Sequence, residues 1–139
     1  MDQQAIEDRT EIGELLAGYA RGVDSKHWDL WRLVLAPDAC ADYSSAGSAD
    51  DSPRSRSMAR AELSHLPMTQ HLTTNVELDI DEDRAKARAL VFTPMQLPGM
   101  HELTFCGARS HHDLVRTPKG WKSERLVEEN LWFMTPPPR

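Results

Sequence analysis

"MTQHLTTNVELDI", residues 68 to 80, is where the chain changes period. Before it, apolar residues recur in steps of three and four. From it onward they alternate with polar ones, the pattern of half-buried strands. Three later segments alternate too: "RAKARALVFTPMQL" (84 to 97), "ELTFCGARSHHDLVRT" (102 to 117) and "GWKSERLVEENLWF" (120 to 133). Turn signals part them: "DEDR" at 81 to 84, "LPGMH" at 97 to 101 and "TPKG" at 117 to 120.

Working back from the switch, "SMARAELSHL" (57 to 66) reads as a short helix ended by Pro67, and "SSAGSADDSPRSRS" (44 to 57) as a loop and candidate flap. "DACADYSS" (38 to 45) alternates weakly as a strand. The spacing of Trp28, Trp31 and Leu35, and of Leu30 and Val34, predicts a helix over 27–35 that Pro37 stops. Ile12, Leu15, Leu16, Tyr19 and Val23 predict a longer one over 4–23. The tail, 134–139, is expected to fray. Helices first and antiparallel hairpins afterwards is an α+β pattern, with helices on one face of a curved sheet that encloses a cavity at its open end.

The 139 residues suit one domain, 1–139, and a 40% hydrophobic fraction with four tryptophans is enough to fill its core. The net charge of -6, with no basic stripe, argues against nucleic acid or a membrane surface as the main partner. "MDQQAIEDRTEIGE" is polar and acidic, unlike a signal peptide, and no run approaches membrane-spanning length. Cys40 and Cys106 fit no metal or redox spacing. Reduced thiols in a cytoplasmic protein are the simplest reading, with a disulfide between them left open.

Asp24 continues the row Leu16, Ala20, Asp24 in steps of four, which sets a carboxylate at the edge of the first helix's apolar stripe. It is either a cap for the second helix, within "VDSKHW", or a partly buried carboxylate that orients a histidine. His71 is a candidate for that histidine, but parity opposes it. Val76, Leu78 and Ile80 share one face, and strict alternation puts His71 on the other. The strand must bend or bulge near residues 73–75 for His71 to reach the interior. His111 and His112 are adjacent on a strand, so at most one can line a given cavity. Combined with Asp113, His101 or His71 they give no His-x-His or His-x-x-x-His spacing, and no metal site is expected. Arg116 and Trp121 flank the last hairpin turn, in the plainest reading as a surface charge and a core aromatic.

"YARGVDSKHWDLWRLVLAPDACADYSS" (19 to 45) resembles the N-terminal part of scytalone dehydratases, with Asp24–Lys26, Trp28, "AP" and "DY" at matching spacings. "TQHLTTN" (69 to 75) is similar to the segment that carries the catalytic histidine there and in hexachlorocyclohexane dehydrochlorinases. "GARSHHDLVRTPKGWK" (107 to 122) looks like the closing hairpin of SnoaL-like proteins. The likeness runs from about residue 5 to 133. It identifies the chain as a member of the SnoaL-like, scytalone dehydratase-like branch of the nuclear transport factor 2-like superfamily, whose fold is a cone-shaped α+β barrel.

The resemblance implies a catalytic pair, Asp24 and His71, in which the carboxylate fixes the tautomer of a general base. It implies that Tyr43 hydrogen-bonds substrate, that Ser110 is a polar cavity residue and that Arg116 stabilises the leaving group. Tyr19 and Met95 complete the candidate substrate-binding set. Two positions depart from the pattern. Val23 stands where scytalone dehydratase has a second substrate tyrosine, and a second active-site histidine is replaced near Met95, so scytalone is a poor substrate guess. The expected function is a cofactor-independent lyase, a dehydratase or related eliminating enzyme, on a small, mostly apolar organic substrate. An isomerase or polyketide cyclase using the same pair is the alternative, and a non-catalytic ligand-binding member of the fold is a third reading. No metal or organic cofactor is expected. A homo-oligomer is, a trimer rather than a dimer, with Trp132 and Phe133 in the contact.

Overall fold

Asp2 opens the first helix by accepting the Ala5 N–H at 2.8 Å, and α1 runs Gln3–Asp24. The computed structural model describes residues 1–42 and 63–134. A tight turn leads into α2, Trp28–Val34. Gly22 makes that turn possible: a Cβ there would lie 2.9 Å from the Trp31 backbone nitrogen. Pro37 forbids a continued helix, and β1, Leu35–Asp42, starts directly from its end.

The other strands are β2, Met68–Thr69; β3, Leu72–Asp81; β4, Arg84–Gln96; β5, Thr104–Thr117; and β6, Gly120–Met134. The order across the sheet is β1-β6-β5-β4, and β2 and β3 share the remaining edge of β4. β1 runs parallel to β6 and the other pairings are antiparallel. The two helices pack on this strongly curled sheet, which forms a half-barrel. The expected α+β architecture is therefore the observed one, and both helices lie within two residues of the spans the sequence predicts. The short helix over 57–66, the loop 44–57 and the tail fall wholly or largely outside the described residues.

Small side chains let α1 approach the sheet. Ala85, Ala87 and Ala89 form the inward row of β4, and Ile12 and Leu16 settle with Leu114 and Trp121 on its first part. Burying a side chain the size of Leu or Ile contributes about 1.5–3 kcal/mol, so this cluster anchors the first helix. A second cluster, Val23, Trp31, Leu35 and Ala39, holds the α1–α2 corner against β1.

The parity conflict at His71 is resolved by a bulge. Between Thr74 and Glu77 the β3–β4 register shifts, with Thr74 opposite Leu90 and Glu77 opposite Arg88. The extra residue falls at Asn75, whose φ is +52°, a conformation that asparagine tolerates better than most residues. Before the bulge the odd residues His71 and Thr73 face inward; after it the even ones, Leu78 and Ile80, do. Val76, read from alternation as an inward residue, is exposed.

On the convex side Phe92, Phe105 and Trp132 form a ring cluster, Phe92 stacked on Phe105 at 5.8 Å. The Trp132 ring covers Gly107, where a Cβ would fall 2.2 Å from its ring nitrogen. Phe92, Trp132 and Phe133 are all exposed. Among the described residues no helix is long and apolar enough to cross a membrane, and Cys40 and Cys106 are free thiols.

Candidate active site

Asp24 is the last residue of α1, and its carboxylate reaches across to the segment between β2 and β3. It accepts the backbone N–H of His71 at 2.8 Å and the hydroxyl of Thr69 at 2.9 Å, and it meets His71 Nδ1 at 2.6 Å. The cap reading of Asp24 is corrected by this geometry. The N-cap of α2 is His27, which makes no side-chain capping bond, while Asp24 is engaged elsewhere.

Burial raises the Asp24 carboxyl, but the hydrogen bonds from the His71 ring and backbone, with Thr69, outweigh it and hold the group below the usual carboxylate range. An ionised carboxylate can only accept, so Nδ1 carries the ring proton. In the neutral ring the lone pair then lies on Nε2, which has no hydrogen bond among the described residues. Both side chains are mostly buried, His71 at 15% and Asp24 at 22% exposure.

His71 borders a narrow cleft of about 300 Å³ including its open mouth, walled by Leu16 and Tyr19 of α1, Thr73, Val91, Ser110, His112 and Glu128. Its closed part has room for about one water. Ser110, expected as a polar cavity residue, is there and buried, and Tyr19 is there as well. Met95 continues the inward row of Val91 and Thr93 toward the end of β4, opposite Thr69, beyond the cleft wall. Tyr43 lies outside the described residues.

Of the adjacent histidines, His112 is the inward one. Its Nδ1 is 2.9 Å from Ser123 Oγ and its ring meets Tyr19 edge-on. Burial pushes it down to about 4, with Asp113 pulling the other way, so the ring is neutral at pH 7. His111 faces outward and pairs with Glu129 at 3.0 Å. Among the described residues no group of three His, Cys, Asp or Glu side chains is arranged to hold a metal.

Arg116 is a correction. It lies six residues beyond Ser110 on β5, about 20 Å along the strand, in a separate ion-pair cluster. Its guanidinium donates to Asp8 at 2.7 and 3.0 Å and to Asp83 at 2.9 Å, and it stacks over Trp121. Trp121 also donates its ring N–H to Asp8 and its backbone N–H to Glu11. The strong acid at Asp8, held far below its usual range chiefly by Arg116, belongs to the packing of α1 on the last hairpin. A leaving group in the cleft is out of its reach.

Sequence reasoning missed Thr69, His112 and above all Glu128. Glu128 sits opposite Ser110 in the β5–β6 pairing, on the inward row Leu126, Glu128, Asn130. Burial pushes its carboxyl up to about 7, against the pull of positive charge on His71 and His111. The cross-strand partner of Ser110 was the available signal, masked because "EEN" is polar at three successive positions.

The model of the SnoaL-like domain family matches residues 4–127. An uncharacterized protein of Mycobacterium tuberculosis is 35% identical over 125 residues, 88% of this chain and 85% of that protein. The Kfla4162 protein from Kribbella flavida superposes with a TM-score of 0.83 at 28% identity, over 94% of this chain and 95% of that one. Hexachlorocyclohexane dehydrochlorinase from Novosphingobium barchaimii has the same fold, with a TM-score of 0.83 at 17% identity over 99% of this chain and 100% of that one.

Proposed function

Since the chain belongs to the SnoaL-like family, whose members include cofactor-independent lyases and isomerases, we propose that it is a lyase that removes water or another leaving group from a small, mostly apolar molecule. His71 Nε2 takes a proton from carbon beside an activating group. The electron pair left on carbon forms the new double bond and the leaving group departs with its own bonding pair. Asp24 holds the Nδ1 proton in place and stabilises the imidazolium once it forms. Ser110 and Tyr19 supply hydroxyls for a substrate oxygen.

The observation that carries the reading is the contact between His71 Nδ1 and Asp24 at 2.6 Å, beside a cleft lined by apolar and hydroxyl side chains. A base fixed at one nitrogen and open at the other is what proton abstraction from carbon requires. Isomerisation shares the first step and differs in where the proton returns. We take the ring cluster of Phe92, Phe105 and Trp132, in which Phe92 and Trp132 are exposed, as the contact surface for a second copy of this chain, because a stacked and a tilted ring pair form one apolar patch there.

The test uses two probes, a β-hydroxy aryl ketone and its β-(para-nitrophenoxy) counterpart. Elimination by the wild type, reduced at least a hundredfold in His71→Gln, supports the lyase. Exchange of the α-hydrogen for deuterium without elimination favours the isomerase. Equal rates in wild type and His71→Gln overturn the base.

A further inference from the structure

We propose that Glu128 is the acid that protonates a departing hydroxyl, so that the substrate is an alcohol with its hydroxyl β to an activated C–H. The proposal rests on the base reading of His71 and adds its missing partner. Hydroxide is a poor leaving group, and an elimination that expels it needs a proton at the leaving oxygen. Arg116, the residue expected to serve that end, is tied to Asp8 and Asp83 far along β5.

Glu128 is placed for the task by strand pairing. β4 and β5 lie between its strand and β3, a separation of about 14 Å on a flat sheet. The curl of the sheet brings Glu128 and His71 to the walls of one cleft. They are close enough that charge on His71 bears on the carboxyl. Among the described residues, the groups that face it include His71 from the β2–β3 link, Tyr19 from α1, and Ser110, His112 and Cys106 from β5; His111 acts on it from the outer side of β5. Of these, His112 is held neutral and the His71 ring is bonded to the Asp24 carboxylate. A carboxyl in such surroundings keeps its proton toward neutral pH, as a general acid must.

The step balances without any other reagent. His71 Nε2 takes the proton as the C–H bond breaks, the carbon–carbon double bond forms, and the C–O bond breaks toward oxygen. Oxygen takes the Glu128 proton and leaves as water. The products are an imidazolium and a carboxylate in one cleft, and transfer of a single proton from His71 to Glu128, through the released water, restores the starting state. A halide would need no such acid, and neither would a phenolate.

The experiment joins a spectroscopic readout to a leaving-group comparison. In protein labelled with carbon-13 at the glutamate carboxyls, one resonance is expected to titrate near pH 7 and to vanish in Glu128→Gln. If every carboxyl titrates in the ordinary glutamate range, the proposal is overturned. Glu128→Gln is expected to lose about a hundredfold or more on the β-hydroxy aryl ketone and to keep nearly full rate on the β-(para-nitrophenoxy) counterpart, while His71→Gln loses both. Equal loss on both probes in Glu128→Gln, or none on either, overturns the acid role and leaves the base standing. Turnover of neither probe by the wild type overturns the base reading, and this one with it.

Discussion

Asp24 grips His71 at two points, the backbone N–H at 2.8 Å and ring Nδ1 at 2.6 Å. The first contact fixes where the residue sits and the second fixes which ring nitrogen is bare. Replacing Asp24 with Asn keeps the size of the side chain and lets its amide donate, so Nδ1 can become the acceptor and Nε2 the protonated atom. Asp24→Asn is therefore expected to lower kcat by roughly 10²–10⁴-fold with little change in KM. Nitrogen-15 shifts of the neutral His71 ring check the cause: Nδ1 protonated in the wild type, Nε2 in the variant. An unchanged tautomer with full activity would detach Asp24 from the chemistry.

Glu128 and His112 should oppose each other in the pH dependence of stability. Burial pushes Glu128 up to about 7 from 4.5, and His112 down to about 4 from 6.5. The folded chain keeps a proton on Glu128 that the unfolded chain has released, so that contribution is full below about 4.5 and is lost as pH rises toward about 7. The unfolded chain takes up a proton on His112 that the folded one refuses, so that contribution is full above about 6.5 and is lost as pH falls toward about 4. Each slope is at most about 1.4 kcal/mol per pH unit, and between about 4.5 and 6.5 they cancel. Denaturant titrations of the wild type should give a nearly level stability there, whereas in Glu128→Gln stability should climb with pH across the same window.

The bulge at Asn75 is what turns His71 inward while Leu78 and Ile80 stay in the core. With φ at +52°, a β-branched side chain there meets the following carbonyl. Asn75→Val is expected to cost about 1–2 kcal/mol, while Asn75→Gly stays within a few tenths of wild type. Urea midpoints for the two variants decide it. Deleting Asn75 should do more, because one of the two inward rows must then turn out, and either activity or stability collapses.

That bulge also marks how far the sequence can be read. The alternation of β3 predicts a break near residues 73–75, because Leu78, Ile80 and His71 cannot share a face otherwise. Local spacing likewise carries both helices, and the turns at 81–84, 97–101 and 117–120 sit where the structure has them. Neighbours across strands are another matter. Glu128 meets the cleft because β6 pairs with β5 in a register that sets it opposite Ser110, and two register shifts in that pairing stand between the hairpin turn and the far strand ends. Nothing local to "VEEN" encodes them. Asp8 is equally silent: an acid on a helix reads as solvated until Arg116 and Trp121 arrive from the last hairpin. His71 and Asp24 came together through family likeness, since 47 residues separate them.

If the outer ring cluster joins copies of the chain, a charge in its middle should part them. Phe92→Lys places an ammonium among Phe105 and Trp132 on the convex face, away from the cleft. Light scattering on the eluting protein is expected to give a multiple of the 15.7 kDa chain mass for the wild type and a smaller mass for the variant. A wild type that elutes as a single chain would leave those rings as plain surface.

Arg116 offers the sharpest contrast between holding the fold and doing chemistry. Its partner Asp8 is buried at 5% exposure and also receives the Trp121 ring N–H, so removing the guanidinium strands a carboxylate under α1. Arg116→Ala should lower the melting temperature by several degrees, and Asp8→Ala, which leaves the cation to Asp83 and takes away the acceptor of the Trp121 ring N–H, should do so too. The double variant should lose less than the sum of the two, because each single change already breaks the pair. At a temperature where the single variants remain folded, kcat on the nitrophenoxy probe should match the wild type. A drop in kcat with the melting temperature unmoved would return Arg116 to the leaving group and require the hairpin to bend toward the cleft during turnover.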